Sequence, residues 1–168
     1  QRGCVPLFKS LLRDEHVQQW GRDGQGQHGI DLLGARDGDV HRPVGIQCKR
    51  IAEPITESTI REDVKKAKNL KPALTEFIFA TTSNRDVAVQ AAAAKLSREL
   101  HAEGWHCRVV VMAWQDLTLE IAKCQEALDA FLPSARALQK PLLDAVREDG
   151  NSTRRELEKV SGLLRFAV

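Results

Sequence analysis

Three residues of this chain, Asp31, Gln47 and Lys49, are of types that together can hold a divalent metal and activate a water beside it. They stand in two short apolar runs, Gly29-Ile30-Asp31-Leu32-Leu33 and Val44-Gly45-Ile46-Gln47-Cys48-Lys49-Arg50. Each run has the length and composition of a strand, and the Asp-Gly pair at 37–38 between them is a hairpin signal. Side chains alternate across a strand. Val44, Ile46 and Cys48 therefore project one way, and Gln47 and Lys49 together the other. In the first run Ile30 and Leu32 are expected on the core side, with Asp31 opposing them. Pairing the strands brings a carboxylate, an amide carbonyl and an ammonium to one place. Mg²⁺ takes hard oxygen ligands, keeps several waters and needs only one or two carboxylates from a protein. Phosphodiester hydrolysis builds negative charge on the phosphate and leaving oxygens, which such a cation offsets while lowering the pKa of its water. Lys49 would add a point charge for the developing anion. The plainer reading of the same spacing is a surface hairpin whose charges sit in water.

The elements that must carry these residues alternate between helix and strand. A short helix is expected within Pro6 to Gln19, with Phe8, Leu11 and Leu12 on one side. After the two strands, Thr59 and Glu62 have the spacing of a capping box and open a helix to about Leu70. Ile60, Val64, Ala67 and Leu70 recur at helical spacing and should face the sheet. Arg61, Lys65 and Lys68 then share an outer face, either a solvated surface or a DNA contact. Glu76 to Thr82 reads as a buried strand. Asn84 or Asp86 can cap a long helix to about Glu103, which Gly104 ends. Cys107 to Ala113 is the most apolar strand. Strand, helix and strand of this kind form a parallel βαβ unit, so the sheet is mixed. A further helix is expected from Trp114 to Leu132. Beyond Pro133 the pattern suggests helices without chemistry, a connector to another module or a dimer arm.

Composition narrows the classes. A chain of 168 residues suits one domain plus an extension. The net charge is only +2, so overall electrostatics do not announce nucleic acid. Between Arg42 and Lys71, however, eight basic residues face four acidic ones, an excess beside the proposed site that would bind phosphates in a salt-dependent way. Cys4, Cys48, Cys107 and Cys124 are too widely spaced for a zinc ribbon or a disulfide framework. The glycines at 21, 24, 26 and 29 lack a Gly-Lys-Ser/Thr ending and lead into a strand, which argues against a P-loop. With no Tyr and five Phe, base-stacking aromatics are sparse, and duplex DNA is a better substrate than single strands. No signal peptide or long apolar span is visible, so no membrane association and a cytoplasmic, reducing location are expected.

The block Gly21-Arg22-Asp23-Gly24-Gln25-Gly26-Gln27-His28-Gly29-Ile30-Asp31, followed by Gly45-Ile46-Gln47-Cys48-Lys49-Arg50, resembles the PD-(D/E)xK, restriction-endonuclease-like superfamily. It is most similar to the Mrr-like branch, in which Gln-x-Lys replaces Glu-x-Lys. Residues 55–72, Glu76-Phe77-Ile78-Phe79-Ala80-Thr81-Thr82 and Trp114-Gln115-Asp116-Leu117 extend the similarity over roughly residues 4–132. The resemblance implies an α/β, restriction-endonuclease-like mixed β-sheet flanked by helices over residues 1–132. Residues 133–168 would then be a helical extension or linker to a further module. It implies a Mg²⁺-dependent endonuclease (Mn²⁺ being able to substitute) acting on double-stranded DNA. Such domains serve as effectors of bacterial antiphage defence proteins, homo-oligomeric and fused to or activated by a sensor or NTPase module. Asp31, Gln47 and Lys49 would be catalytic. Asp31, Gln47 and the backbone carbonyl of Cys48 would hold the metal. Gln27, His28, Arg50, Lys65 and Lys68 are candidates for substrate contact, the plainer reading of His28 being a loop histidine held by a local hydrogen bond. One departure stands out: the glutamate that many relatives carry on the first helix would fall near Gln1, and Glu15 is the nearest carboxylate. A catalytically inactive nuclease-fold module that binds DNA or a protein is the alternative.

Overall fold

The computed structural model describes residues 3–21, 28–51 and 55–132. The chain divides into two units at Ala127/Leu128; the fold below is that of the first, whose last helix runs on to Phe131 in the second. Helix α1 (Cys4–Leu12) leads to a two-residue strand, β1 (Gln18–Gln19), and then to β2 (Leu32–Ala35), β3 (Pro43–Lys49), α2 (Glu57–Ala67), β4 (Glu76–Thr81), α3 (Val87–Ala102), β5 (Arg108–Met112), α4 (Trp114–Lys123) and α5 (Gln125–Phe131). The protein is α/β. Its five-stranded sheet has the order β1-β2-β3-β4-β5. β1, β2 and β3 pair antiparallel, while β3, β4 and β5 run parallel. Among the described residues no helix is long and apolar enough to cross a membrane.

Parallel strands covered on both faces read as continuous apolar runs, and β4 follows this rule: Phe77, Ile78, Phe79, Ala80 and Thr81 are all buried. Phe77 and Phe79 enter a core with Ile60, Val64, Ala67 and Leu70 of α2 and its exit, and Val89, Ala93, Leu96 and Leu100 of α3. Trp105 closes the floor of this core, its indole N–H donating to the Leu74 carbonyl at 2.9 Å. At the β5 border Ser97 accepts from the Val109 amide at 2.9 Å, covering one polar group that a sheet edge would otherwise expose. Arg36, in the turn after β2, bonds Glu76 at 2.7 Å and the Leu11 carbonyl at 3.2 Å. One guanidinium thus ties α1, the hairpin and the start of β4 together.

Several boundaries differ from the sequence expectation for local reasons. The first helix stops at Leu12 because Arg13 turns left-handed (φ 55°) and its amide closes on Lys9 and Ser10. Asp14, buried just beyond, accepts from the amides of His16 and Ala35 at 2.8 and 2.7 Å, so residues to Gln19 join the sheet instead. Helix α2 starts earlier than the Thr59–Glu62 pattern suggests. Thr56 is its N-cap and accepts from the Thr59 amide at 3.3 Å. Asp86 rather than Asn84 caps α3, accepting from Ala88 and Val89. Gly104 ends that helix region at φ 83°, where glycine carries no Cβ penalty. The single helix expected from Trp114 to Leu132 is two, interrupted at Cys124, whose backbone is extended. The expected extension beyond Pro133 lies outside the described residues.

Candidate active site

Asp31 sits one residue before β2, with both backbone groups fixed by the strands on either side. Its amide donates to the Ile46 carbonyl at 2.7 Å, and its carbonyl accepts from Trp20 at 2.8 Å. The residue is only 6% exposed. Its Oδ2 accepts two hydrogen bonds, from the Gln47 side-chain amide at 2.8 Å and from the Cys48 amide at 2.7 Å. Because the Gln47 nitrogen faces the carboxylate, its carbonyl oxygen is its remaining polar atom, an acceptor of the kind a hard cation takes. Lys49 projects from β3 on the same side as Gln47. Its ammonium lies 5.4 Å from the centroid of the Phe79 ring and is felt electrostatically by Asp31. The carboxylate, the amide and the ammonium therefore share one side of the hairpin, Gln47 and Lys49 by the alternation of β3 and Asp31 by its bond to Gln47.

Ile30 does not follow the alternation. It packs with Phe77, Phe79 and Leu74 in the α2–α3 core, on the side of Gly45. A Cβ added at Gly45 would meet Leu74 and Ile30 side chains at 2.5 and 2.9 Å. Leu32, paired with Ile46, is outside that cluster. Ile30 and Asp31 precede the strand, and the positive φ of His28 and Gly29 just before them (49° and 73°) breaks the two-residue period on which the expectation for Ile30 and Leu32 rested.

Burial raises the pKa of Asp31 above its ordinary value, against the lowering effect of the Cys48 amide and of Lys49. A buried carboxylate of this sort is a group that a bound cation would compensate. Among the described residues no cluster of three or more His, Cys, Asp or Glu side chains gathers. A metal here would rest on Asp31, Gln47 and waters or a substrate phosphate, a sparse set that fits Mg²⁺ better than Zn²⁺. The burial has a consequence for stability. The folded state binds the Asp31 proton more tightly than the unfolded chain does, so this group's contribution falls as pH rises from the ordinary aspartate range through the raised value. Asp31→Asn keeps an oxygen for the two donors and removes the buried charge. In metal-free buffer at pH 8 it is expected to raise the thermal midpoint by roughly 2–4 °C, for about 1 kcal/mol. At pH 4 the gain should shrink, and an equal gain at both pH values would count against the burial argument.

Asp63 of α2, which the sequence reading passed over, completes the cluster. It is buried, with Oδ1 bonded to the Lys66 ammonium at 3.0 Å. Its Oδ2 meets the Lys49 ammonium as an ion pair rather than as a directed hydrogen bond. The helical spacing had assigned positions 60, 64, 67 and 70 to the sheet face; position 63 lies on the same flank, and a carboxylate there is a signal the pattern contained.

The remaining candidates are placed unevenly. Arg50 follows Lys49 and is exposed, as is His28. Lys65 is exposed on α2, but Lys68 bonds Glu103 at 2.7 Å. Arg61 is held by Glu57 and Glu99 at 2.6 Å each. Much of the basic stripe on α2 is thus engaged by α3. Gln27 lies outside the described residues. Glu15 is exposed and pairs with Lys9 at 3.7 Å. Beside the site, a crevice of about 290 Å³ opens at the carboxyl ends of β3, β4 and β5, lined by Ile51, Thr82, Ser83, Asn84 and Arg85 among others. The Lys49 carbonyl accepts from the Thr82 amide at 3.2 Å, so crevice and site share an edge.

Cys48 contributes a second contact. The neighbouring Cys48 thiol lowers the pKa of Cys4 on α1, while Cys4 and burial raise that of Cys48. The thiolate is the reactive form. Iodoacetamide is therefore expected to modify Cys4 with a half-maximal rate at a pH below the value of about 8.5 for an ordinary thiol, as mapped by mass spectrometry. Cys48→Ala should return it toward the ordinary value.

No protein-family model matches the chain, and no curated protein matches it either.

Proposed function

We propose that this chain is a metal-dependent endonuclease that hydrolyses phosphodiester bonds of duplex DNA, with a restriction-endonuclease-like fold of the Mrr-like, Gln-x-Lys kind. One observation carries the reading. Asp31 is held by the Gln47 side chain and the Cys48 amide on the side of the hairpin from which Lys49 projects. Asp31 and the Gln47 carbonyl would hold Mg²⁺ or Mn²⁺, with the Cys48 carbonyl as a further candidate ligand. Bound there, the cation would offset phosphate charge and lower the pKa of a water. The chain's own residues do the rest. Gln47 and Cys48 fix the orientation of the Asp31 carboxylate, and Lys49 offers its ammonium to the charge that grows on the phosphate oxygens. Arg50 and Lys65, both exposed, would contact backbone phosphates. In this reading the domain works as a homo-oligomer in a cytoplasmic antiphage system, switched on by a sensor or NTPase partner.

A second reading rests on the single carboxylate that holds the candidate metal and on the engagement of Lys49 by Asp63: a nuclease-fold module that binds DNA or a protein without cutting. Supercoiled plasmid incubated with the protein and Mg²⁺ separates the two. Nicking or linearisation by the wild type that EDTA stops supports the nuclease. DNA binding that weakens with salt, without any cutting, supports the module.

A further inference from the structure

Lys49 is held on its strand by a carboxylate that no strand supplies. We infer that Asp63 is a positioning residue, fixing the Lys49 ammonium beside Asp31 before substrate arrives; this inference rests on the nuclease reading above. Three observations carry it. Asp63 is 3% exposed, and both of its oxygens are engaged by lysines, Lys49 on Oδ2 and Lys66 on Oδ1. The two lysines differ: the Lys49 side chain is 28% exposed, that of Lys66 59%. The turn of α2 bearing Asp63 is also pressed against the segment that delivers Asp31. A Cβ at Gly29 would come within 2.6 Å of the Asp63 carbonyl oxygen and 3.1 Å of the Lys66 Cβ. The metal-side carboxylate and the lysine are therefore referenced to one helical turn.

The arrangement has a physical rationale. A lysine has four flexible methylenes, and an ammonium in half-buried surroundings swings into water unless something holds it. A buried carboxylate is in turn costly without cations. When Lys49 turns its charge toward a phosphate, Lys66 remains on Asp63, so the carboxylate is never left alone. Ordering the ammonium in advance removes that cost from the reaction step, and small misplacements of a catalytic group are expensive in rate. The effect of Asp63 should therefore fall on turnover, not on DNA affinity or on the metal.

The test compares wild type, Lys49→Ala, Asp63→Asn and Lys66→Gln in steady-state plasmid cleavage over a range of DNA and Mg²⁺ concentrations. Side-chain ¹H–¹⁵N spectra of the lysine ammonium groups accompany it. Asp63→Asn is expected to lower kcat by about 10- to 100-fold, with KM and the half-saturating Mg²⁺ within about 2-fold of wild type. Lys66→Gln should lower kcat less. In the spectra the Lys49 ammonium signal should disappear in Asp63→Asn while the backbone amide pattern persists, which separates lost positioning from lost folding. Wild-type kcat in Asp63→Asn, with Lys49→Ala inactive, overturns the inference and leaves the nuclease reading intact. A tenfold higher Mg²⁺ requirement also overturns it, by making Asp63 a metal ligand. If the wild type does not cut, the nuclease reading falls instead. The Lys49 signal then decides the positioning by itself: an ammonium resonance unchanged by Asp63→Asn would refute it.

Discussion

Lys49→Ala is expected to reduce Mg²⁺-dependent plasmid cleavage by about 10²- to 10³-fold, the range seen when one preorganised stabiliser of transition-state charge is removed. Asp31→Asn should abolish it at the Mg²⁺ concentration that serves the wild type, because the neutral amide is a far poorer ligand for a hard cation. The two losses should differ in kind. Raising Mg²⁺ should recover part of the Asp31→Asn activity but none of the Lys49→Ala activity. Lys49→Arg should not rescue, since a planar guanidinium does not reproduce a compact ammonium on the same stem. The structure keeps these losses separate from unfolding. After Lys49→Ala the buried Asp63 still has Lys66 at 3.0 Å. After Asp31→Asn an oxygen remains for the Gln47 and Cys48 donors, whereas Asp31→Ala would leave the Cys48 amide without its 2.7 Å acceptor and cost about 1–3 kcal/mol. Circular dichroism of each variant and cleavage measured on the same preparation check both halves. A Lys49→Ala protein that cuts at the wild-type rate would remove lysine from the chemistry.

How much of this was legible without coordinates depended on the range of the interaction. The period of two in Val44 to Lys49 is a local property, and β3 lies where it says, with Gln47 and Lys49 on one side. β4, α3 and β5 were likewise legible, because their apolar runs, the Asp86 cap and the Gly104 stop are all written locally. Ile30 was misread because the pair of positive-φ residues before it, His28 and Gly29, displaced the strand start to Leu32. β1 was hidden because its two glutamines are held by partners on β2 and have no apolar pattern of their own. The break at Cys124 carries no Gly or Pro signal. Most instructive is Asp63. Within α2 it reads as one charge among several, and only the fold sets it against a lysine fourteen positions earlier in the chain. The coupling of Cys4 to Cys48 is of the same class: two unremarkable cysteines until the fold brings position 4 near position 48.

Phe79→Ala is expected to cost about 3–5 kcal/mol, a large part of the 5–15 kcal/mol that a domain of this kind has in total. The ring is fully buried. It stands directly across from Gln47 in the β3–β4 register and packs in the core with Ile30, Ile60, Val64 and Val89. With a urea slope of about 2 kcal/mol per molar, the unfolding midpoint should move down by roughly 2 M. A shift under 0.5 M would mean that the core relaxes around the hole. The same ring has a second role that truncation alone cannot isolate, because the Lys49 ammonium lies 5.4 Å from its centroid. Such contacts are worth about 0.5–2 kcal/mol. Phe79→Leu preserves most of the volume while removing the aromatic face, and Phe77→Leu makes the same exchange in the same core two residues away. The stability losses of the two leucine variants should be similar. If the ring helps to seat the ammonium, cleavage should fall severalfold in Phe79→Leu and stay near wild type in Phe77→Leu. Equal activity in both would reduce Phe79 to a core residue.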